Sequence, residues 1–562
     1  MSVNGAKVTE GSATILFSDP DEVFYNPVQQ FNRDLSTTAI RAWAESRNQK
    51  AVAKAKHRQE IIEAREKKDE NKVNSNQENS SPSGSEATAV PAEYSENNTK
   101  KKADEGNNVG FSVLEALSAT GLRAIRYARE LPDVKKILAN DLLARAVEAI
   151  DANVKRNDVA HIVIPNKGDA NSVMHSFKNQ YDVIDLDPYG TAAPFLDAAV
   201  QSVADNGLLC ITCTDSAVLA GNAYPEKCFS NYGGTSLRSD FCHEQAIRHL
   251  LYAIATAAAK YGRAIKPLLS LSIDFYFRVF VQVEAKPALV KNLHSQSALI
   301  YHCSGCGSYS IQRMGKTVPG RIPGSTKYTN ATGPTISANC EHCGFVHHLG
   351  GPVWGGPLHD AEFIGRMRKI AENLDEETYG TKRRILGMLA VAAEELLDIP
   401  FYFIISQTAS VLRAQSPPQN TFVSALLNAG YRVSGSHAKS NAIKTDAPWA
   451  YIWDVMRAWV QDHPVNYNNI KPNSAGSMIL KKECTSKVDF TLQPGAEFSS
   501  KKAGYTRYQM NPTENWGPKA KAGKRKISET DVQTKSIDKV ILSNLKLLFF
   551  VANILVNCIV DS

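Results

Sequence analysis

The tetrapeptide Asp187-Pro188-Tyr189-Gly190 combines residue types that suit chemistry on a planar amine. An exocyclic amine of a nucleobase is a poor nucleophile because its lone pair is delocalised into the ring. A carboxylate that accepts a hydrogen bond from the amine localises that lone pair and offsets the positive charge that develops during methyl transfer. Pro188 fixes the backbone after the acid, and Tyr189 offers a face on which a flipped base can stack. We therefore interpret Asp187, Pro188 and Tyr189 as candidate catalytic residues, with an Asp-Pro turn beside a core tyrosine as the plainer alternative.

A small-residue turn and two further carboxylates have the spacing of a nucleoside pocket. The turn at 115–121 lets a ligand approach the backbone near a helix N-terminus, although one glycine is too few for a dinucleotide fingerprint. Asp141 follows the next predicted strand and can accept both ribose hydroxyls, and Asp169 follows the third and can contact the adenine edge. Each acid could instead cap a helix. Together they favour a nucleoside cofactor, and a sulfonium methyl donor would need positioning rather than a metal.

Two Cys-x-x-Cys pairs, each followed by glycine, form a second constellation: Cys303 with Cys306, and Cys340 with Cys343. Four thiolates at such spacing predict a closed, tetrahedral zinc site. The 33 residues between the pairs exceed the usual spacing, so free thiols or redox pairs remain an alternative. Four nearby histidines are expected to be exposed polar residues rather than ligands: His302, His342, His347 and His348.

Strands and helices alternate after residue 109 and would place these acids at one edge of a sheet. We predict strands at 111–117, 136–140, 161–165, 182–186 and 207–213, and helices at 122–130, 142–156 and 194–204. Period-two alternation predicts one more strand at 273–283. Such a pattern predicts an α/β fold with a doubly wound, mainly parallel sheet, in which ligands bind beyond the carboxyl ends of the strands.

The chain is too long for one hydrophobic core, so several domains are expected. Residues 1–45 are predicted to be an N-terminal part of the catalytic domain, and the charged stretch 46–108, poor in apolar residues, to be a disordered insertion. The catalytic domain would then occupy 109–300, the four-cysteine module 301–356 and a smaller α/β C-terminal domain 357–484. Residues 485–562 are predicted to be a basic, mostly disordered tail with an apolar terminus.

The charge of the chain is modest overall and concentrated near its end. A net charge of +7 suits a polyanionic partner but decides little alone. Residues 501–526 hold eight basic residues against one acid, with interleaved aromatics, which suits nucleic acid; a solvated charged tail is equally consistent. Residues 519–526 also resemble a nuclear-localisation patch. The apolar stretch 547–560 is shorter than the roughly 20 residues of a membrane span, so we expect no stable membrane association, and we expect a monomer.

These motifs together resemble the tRNA (guanine-26-N2)-dimethyltransferase family of the eukaryotic and archaeal type. The resemblance covers about 8–480, interrupted by 46–108. It rests on the stretches 10–17, 24–36, 114–126, 139–141, 185–190 and 214–219, on both cysteine pairs and on 351–356.

The resemblance implies a Rossmann-like class I methyltransferase domain that transfers one and then a second methyl from S-adenosylmethionine to N2 of a tRNA guanine. It implies Asp187 as the catalytic carboxylate and the four cysteines as ligands of a structural Zn2+. The cofactor contacts that it implies are Arg33, Arg123, Asp141, Asp169 and Ala170. The expected location is the nucleus, with cytoplasm or mitochondrion as alternatives.

Two rival functions remain at this point. An RNA amino-methyltransferase with another target, such as adenine N6, typically carries a second proline where Tyr189 stands. A non-catalytic tRNA-binding or folding factor would have no need of the intact acids Asp141, Asp169 and Asp187.

Overall fold

The computed structural model describes residues 6–17, 25–76, 110–221 and 223–505. The chain begins with an antiparallel hairpin of β1 (Ala6–Glu10) and β2 (Ala13–Phe17), followed by the long helix α1 (Gln30–Asn76). The first turns of α1 are buried and contribute Phe31, Leu35 and Trp43 to the core, whereas residues 51–64 are exposed.

Helix α1 crosses residue 46, where the sequence predicted a disordered insertion to begin. The structure describes residues 46–76 as the continuation of α1. Residues with high helix propensity, such as Ala, Lys, Glu, Arg and Gln, dominate much of this stretch. Because the buried first turns supply the helix nucleus, extending the helix costs little. Residues 77–109 lie outside the described residues.

A seven-stranded sheet with the order β5-β4-β3-β6-β7-β9-β8 forms the centre of the molecule. Six of its strands run in the same direction, and β9 runs opposite to them, antiparallel to both β7 and β8. Helices cover both faces, α1, α2 and α3 on one and α4, α5 and α8 on the other, which confirms the doubly wound, mainly parallel prediction. The elements are β3 (Phe111–Glu115), α2 (Leu122–Glu130), β4 (Val134–Asp141), α3 (Ala144–Arg156), β5 (Val163–Lys167), α4 (Ala170–Ser176), β6 (Tyr181–Leu186), α5 (Leu196–Ser202), β7 (Val203–Cys213), α6 (Ser216–Leu219), α7 (Pro225–Tyr232), α8 (Cys242–Ala259), β8 (Ala264–Ile273) and β9 (Tyr276–Glu284).

The sequence predicted one strand at 273–283, but this range contains the last residue of β8 and most of β9. Strand β8 ends at Ile273, and Asp274 turns the chain with a φ of 47° before β9 begins at Tyr276. The alternation in β9 does not separate a buried from an exposed face, because both faces are covered by helices. Arg278, at a position that reads as exposed, is buried and ion-paired.

The cysteine module follows as a three-stranded sheet with the order β11-β10-β14 and a separate hairpin of β12 and β13. The hairpin lies between the two cysteine pairs, which accounts for their long separation. The elements are α9 (Pro287–Val290), α10 (Leu293–Gln296), β10 (Ser297–Cys303), β11 (Tyr309–Arg313), β12 (Gly315–Pro319), β13 (Thr326–Asn330) and β14 (His347–Trp354).

The segment after the module first returns to the methyltransferase core. Helices α11 and α12 pack against α1 and the sheet through Phe363, Met367 and Met388. The C-terminal unit builds its own core from about Phe403 onward, later than the predicted boundary at 357. The elements are α11 (Ala361–Glu372), α12 (Lys382–Glu394), β15 (Phe403–Ile404), α13 (Ile405–Val411), α14 (Gln419–Asn428), β16 (Val433–Ser434), β17 (Ala442–Thr445), α15 (Trp449–Asp462), α16 (Ala475–Leu480) and α17 (Ser499–Lys502).

The described chain remains folded beyond residue 485, where the tail was predicted to begin. Asn428 Nδ2 donates to Asp489 O at 2.9 Å, and Ser500 Oγ donates to Glu394 Oε2 at 2.7 Å. The basic residues 506–526 and the apolar stretch 547–560 lie outside the described residues. Among the helices that are described, none is both long and apolar enough to cross a membrane.

Candidate active site and metal centre

Asp187 lies immediately beyond the carboxyl end of β6, with 26% of its side chain exposed. Both hydrogen bonds that it accepts within the described chain go to Oδ2. One comes from Nη2 of the buried Arg123 on α2, and the other from Asn32 Nδ2 on α1 at 3.4 Å. The carboxylate is therefore anchored through one oxygen at the edge of the sheet where ligands bind in this fold.

A buried ionic network supports Asp187 from below. Asp185 on β6 accepts two hydrogen bonds from Arg278, at 2.9 and 2.8 Å, and one from Tyr127 OH at 2.5 Å. Burial alone would raise the pKa of Asp185, but the guanidiniums of Arg278 and Arg123 hold it below its usual value. Ser36 Oγ on α1 accepts from Arg123 at 3.0 Å and from Arg278 at 2.8 Å, so α1 is tied to the same network.

Glu115, at the end of β3, faces the same region but is held differently. Its Oε2 accepts from Ser118 Oγ at 2.7 Å and from the Ala124 N–H at 3.1 Å. Complete burial raises the pKa of Glu115 to about 8, with Arg123 opposing the rise. Burial therefore favours the protonated form of Glu115, whereas Arg123 Nε, 3.8 Å from its Oε1, favours the charged form.

The turn between β3 and α2 is tight and packs closely against α3. Ala119 and Gly121 have φ values of 51° and 75°, and a Cβ on Gly121 would lie 3.1 Å from Ile150. Asp141, at the end of β4, accepts from the Ala119 N–H at 2.9 Å and from the Leu143 N–H at 3.0 Å. The carboxylate thus sits beside the turn, and each oxygen keeps a lone pair for a further donor.

Asp169 caps helix α4, the alternative that the sequence left open. Its Oδ2 accepts from Ser172 N–H at 2.8 Å and Ser172 Oγ at 3.0 Å, and the buried Ala170 begins the helix. Asn140 Nδ2 donates to Ala116 O and to Gly168 O, both at 3.0 Å. The ends of β3, β4 and β5 are thereby linked, which brings Asp141 and Asp169 to one edge.

Arg33 lies in a different environment from the other predicted cofactor contacts. Its guanidinium forms a buried ion pair with Glu10 on the N-terminal hairpin and donates to Asn26 O at 3.1 Å. The guanidinium also lies 5.3 Å from the ring centroid of Tyr25. No contact within the described ranges joins Arg33 to Asp141, so its role toward a cofactor stays a prediction.

Tyr189 presents its ring at the surface beside these carboxylates, with 49% of the residue exposed. Partial burial and the nearby charges of Asp187 and Asp141 raise the pKa of its hydroxyl. The loop is fixed to the end of β7, because Gly190 N–H donates to Thr214 Oγ1 at 2.8 Å and Thr214 N–H donates to Gly190 O at 2.9 Å. Gly190 adopts a φ of 81°, which favours glycine at this turn.

A cavity of about 310 Å³ opens beyond the carboxyl end of β7, between α6 and α8. It is lined by Ala220, Gly221, Arg238, Ser239 and Cys242, and does not include Asp187. Cavity size therefore does not identify the candidate site, which is assigned from the hydrogen bonds around Asp187.

The four cysteines of the two pairs converge on one buried point. Cys303 Sγ lies 3.3 Å from Cys343 Sγ, and Cys306 Sγ lies 3.7 Å from Cys340 Sγ. Zinc–sulfur bonds of about 2.3 Å in a tetrahedron place sulfur atoms about 3.8 Å apart, so the arrangement fits Zn2+.

The backbone of the two pairs is nearly identical. In each, the glycine after the second cysteine has a positive φ and its N–H donates to the first cysteine's carbonyl: Gly307 to Cys303 at 3.2 Å and Gly344 to Cys340 at 2.7 Å. Paired turns of this kind hold four sulfurs in a fixed geometry, as a structural metal site requires.

A second cluster of metal-type ligands is formed by His359, Glu395 and His437, all buried. His359 Nδ1 accepts a hydrogen bond from Ser270 N–H, and His437 Nε2 accepts one from Ser272 N–H, both at 3.2 Å. A ring nitrogen that accepts carries no proton, so each neutral ring is protonated on the nitrogen that faces the cluster.

Those protonated nitrogens have no lone pair for a metal. His437 Nδ1 instead donates to Glu395 Oε1 at 2.5 Å, and Lys444 Nζ lies 3.0 Å from Glu395 Oε2. The cluster therefore joins β8 to the C-terminal unit and, with these protons in place, offers no histidine lone pair to a metal; His359 Nε2 has no hydrogen-bond partner among the described residues.

Residues 4–457 match the family model described as N2,N2-dimethylguanosine tRNA methyltransferase. The chain belongs to this family. It is 69% identical over 535 residues to the tRNA (guanine(26)-N(2))-dimethyltransferase of Schizosaccharomyces pombe, covering 94% of this chain and 95% of the relative. The Saccharomyces cerevisiae enzyme of the same name, designated mitochondrial, is 44% identical over 92% of each chain.

A solved structure of Trm1 from Pyrococcus horikoshii with S-adenosyl-L-methionine has a similar fold. The TM-score is 0.59 at 27% identity, with 80% of this chain and 99% of that chain covered. Membership of the dimethylguanosine methyltransferase family confirms the resemblance drawn from the motifs.

Several residues that shape the site in this family member were not identified from sequence. Asn32 and Ser36 lie on α1, far along the chain from Asp187, and Arg278 lies on β9. Asn32 and Ser36 both lie within the stretch 24–36 that resembles the family, and that resemblance is the signal by which they could have been found. Nothing local indicated that Arg278 would be buried.

Proposed function

We propose that this chain transfers methyl groups from S-adenosylmethionine to the exocyclic N2 of guanine 26 in tRNA, giving N2,N2-dimethylguanosine. The observation that carries the proposal is Asp187, held by Arg123 through one oxygen at the edge of a class I sheet in a chain of this family. The other oxygen remains available to the substrate amine.

S-adenosylmethionine supplies an electrophilic methyl on a sulfonium when it is bound. The N2 lone pair forms the new N–C bond as the S–C bond breaks, and one N–H proton leaves. Asp187 accepts the hydrogen bond from that N–H and stabilises the charge on the nitrogen until the proton reaches solvent. The exposed ring of Tyr189 provides a stacking surface for the flipped guanine.

We assign the cofactor pocket to the turn at 115–121 and to the ends of β4 and β5. Asp141 would accept the ribose hydroxyls, and Asp169 and Ala170 would contact the adenine. Arg123 and Arg33 remain cofactor contacts implied by the family resemblance, and in this structure they pair with Asp187 and Glu10. The turn geometry and the position of Asp141 support this assignment. The four cysteines would hold a structural Zn2+ with no part in methyl transfer.

The experiment uses labelled methyl donor with an unmodified tRNA transcript that carries guanine 26 and a matched transcript with adenine there. We expect N2-methylguanosine and then N2,N2-dimethylguanosine in the digest of the first transcript. Asp187→Ala should lower the rate roughly 100- to 10,000-fold while circular dichroism stays unchanged. An unchanged yield in that variant contradicts the role of Asp187. Methylated adenosine indicates the rival amino-methyltransferase, and no product from any tRNA indicates the non-catalytic factor.

A nuclear location and a monomeric state belong to the same proposal. The basic patch at 519–526 supports the nucleus, whereas the mitochondrial designation of the Saccharomyces cerevisiae relative favours the alternative. Fluorescent full-length chain should leave the nucleus when the basic residues of 519–526 are replaced by alanine, and retention would contradict the patch. Sedimentation should give the mass of one chain.

A further inference from the structure

The two oxygens of Asp187 have different environments. Oδ2 accepts from both Arg123 and Asn32, whereas Oδ1 accepts no hydrogen bond from any residue that the structure describes. A carboxylate can rotate about its last bond unless neighbouring donors fix it. Arg123 and Asn32 approach the same oxygen from two different helices, so together they define which oxygen faces outward.

Asn32 is completely buried in the first turns of α1. Its Nδ2 lies 2.9 Å from Gln29 Oε1, 3.3 Å from Thr212 Oγ1 and 3.4 Å from Asp187 Oδ2. Because a carboxylate oxygen only accepts, the amide nitrogen and not the amide oxygen must face Asp187. This orientation leaves Asn32 Oδ1 buried without a partner among the described residues. Such an arrangement lowers stability, which points to a role other than folding.

The backbone around Asn32 is held by the ionic network beneath the site. Ser36 Oγ donates to Asn32 O at 2.5 Å and accepts from Arg123 and Arg278. The position of the Asn32 amide is therefore fixed relative to β6 and β9 rather than set by α1 alone.

We propose that Asn32 is a positioning residue that, with Arg123, holds Oδ2 of Asp187 so that Oδ1 alone meets the substrate amine. The proposal rests on the proposed function of Asp187. A single acceptor oxygen suits two successive methyl transfers, because N2-methylguanine retains one N–H. That remaining N–H can meet the same oxygen in the second round.

The test is a double-mutant cycle in the full chain with guanine-26 tRNA. Asn32→Leu keeps the volume of the side chain and removes the donor. We expect kcat to fall about 10- to 100-fold, while KM for tRNA and for S-adenosylmethionine changes less than about twofold. Rates are expressed per cofactor-binding site measured by calorimetry, so that a misfolded fraction does not count as lost catalysis.

In the Asp187→Asn background the same Asn32→Leu change should lower the residual rate by less than about threefold, because the group through which Asn32 acts is already altered. A drop of 10-fold or more in that background would overturn the proposal, as would an unchanged kcat in the single variant.

Asn157→Leu is the matched control, because it removes another buried amide. Asn157 bonds both backbone groups of Thr14 on β2, at 2.9 and 2.7 Å, and none of the catalytic residues. The Asn157→Leu change should lower the melting temperature, and it should change the rate by the same factor in the wild-type and Asp187→Asn backgrounds. A wild type that fails to methylate guanine 26 refutes the proposed function, whereas an active wild type with no coupling refutes the role of Asn32 alone.

Discussion

Arg278 and Asp185 meet in a two-point contact, at 2.8 and 2.9 Å, with both side chains fully buried. Asp185 also accepts from Tyr127, and Arg278 also donates to Ser36, so the pair joins β6, β9, α1 and α2. Asp187, the candidate catalytic carboxylate, is two residues beyond Asp185. The rigidity of the candidate site therefore depends on an ion pair that no substrate touches.

Replacing Arg278 by alanine should strongly destabilise the fold. Asp185 would keep only Arg123, at 3.5 Å, as a cationic partner, and breaking a buried ion pair costs about 3–5 kcal/mol. Chemical denaturation should show this loss. Lys155→Ala, which removes an exposed pair with Asp151, should change the free energy of unfolding by less than about 1 kcal/mol. A comparable loss of unfolding free energy in both variants would contradict the inference that a buried ion pair contributes more than an exposed one.

Glu115→Gln should change how stability depends on pH. The pKa of Glu115 is raised from 4.5 in the unfolded chain to about 8 in the fold. Between these values the unfolded chain loses a proton that the folded chain keeps, so this residue makes stability fall as pH rises from about 4.5 to 8. Below 4.5 its contribution is fully present, and above 8 it is lost.

The neutral glutamine removes that loss while its amide oxygen can still accept from Ser118 or Ala124. From pH 5 to pH 8 the free energy of unfolding of the wild type should therefore fall relative to that of Glu115→Gln. The variant becomes the relatively more stable protein as pH rises. Each unit of pKa shift corresponds to about 1.4 kcal/mol. Parallel stability curves for the two proteins would show that Glu115 ionises normally.

Purified protein should contain about one zinc per chain, and a strong chelator should lower its melting temperature. Cys340→Ser should reduce both zinc content and stability. Cys242→Ser, which alters a partly buried thiol outside the cluster, should retain the metal. His359→Gln should also retain it, because the second cluster carries protons where a metal would need lone pairs. Loss of zinc in His359→Gln would contradict that reading.

Asp141→Asn should weaken cofactor binding with little effect on the chemical step. Loss of hydrogen bonds to a charged group amounts to about 1.5–3 kcal/mol, so KM for S-adenosylmethionine should rise roughly 10- to 100-fold. Steady-state kinetics with tRNA at saturation would measure this. Asp151→Asn, on the exposed side of α3, should leave KM unchanged; an equal rise in both would indicate a general change in charge.

The predictable part of the site consists of residues that come at the ends of predicted strands. Asp141 and Asp187 each follow an apolar strand, and the parallel strands carry them to one edge. Asn32 could not be placed in this way, because its contact with Asp187 joins positions 155 residues apart. The burial of Arg278 could not be predicted, because period-two alternation indicates an exposed face only when one side of the sheet is open.

The remaining difference between prediction and structure concerns the domain boundary that follows the cysteine module. The boundary at 357 followed from a change in pattern, yet α11 and α12 carry apolar faces that fit the first core and not the second. Such docking depends on surfaces far apart in the chain, which composition and periodicity do not report.

Because α11 and α12 complete the core around β3, β4 and β8, the catalytic fold is assembled from both sides of the cysteine module. During synthesis this core can close only after the chain has been made as far as Glu394, and until then the earlier strands expose apolar surface. Truncation at residue 300 or 356 should therefore yield aggregating protein rather than a smaller methyltransferase.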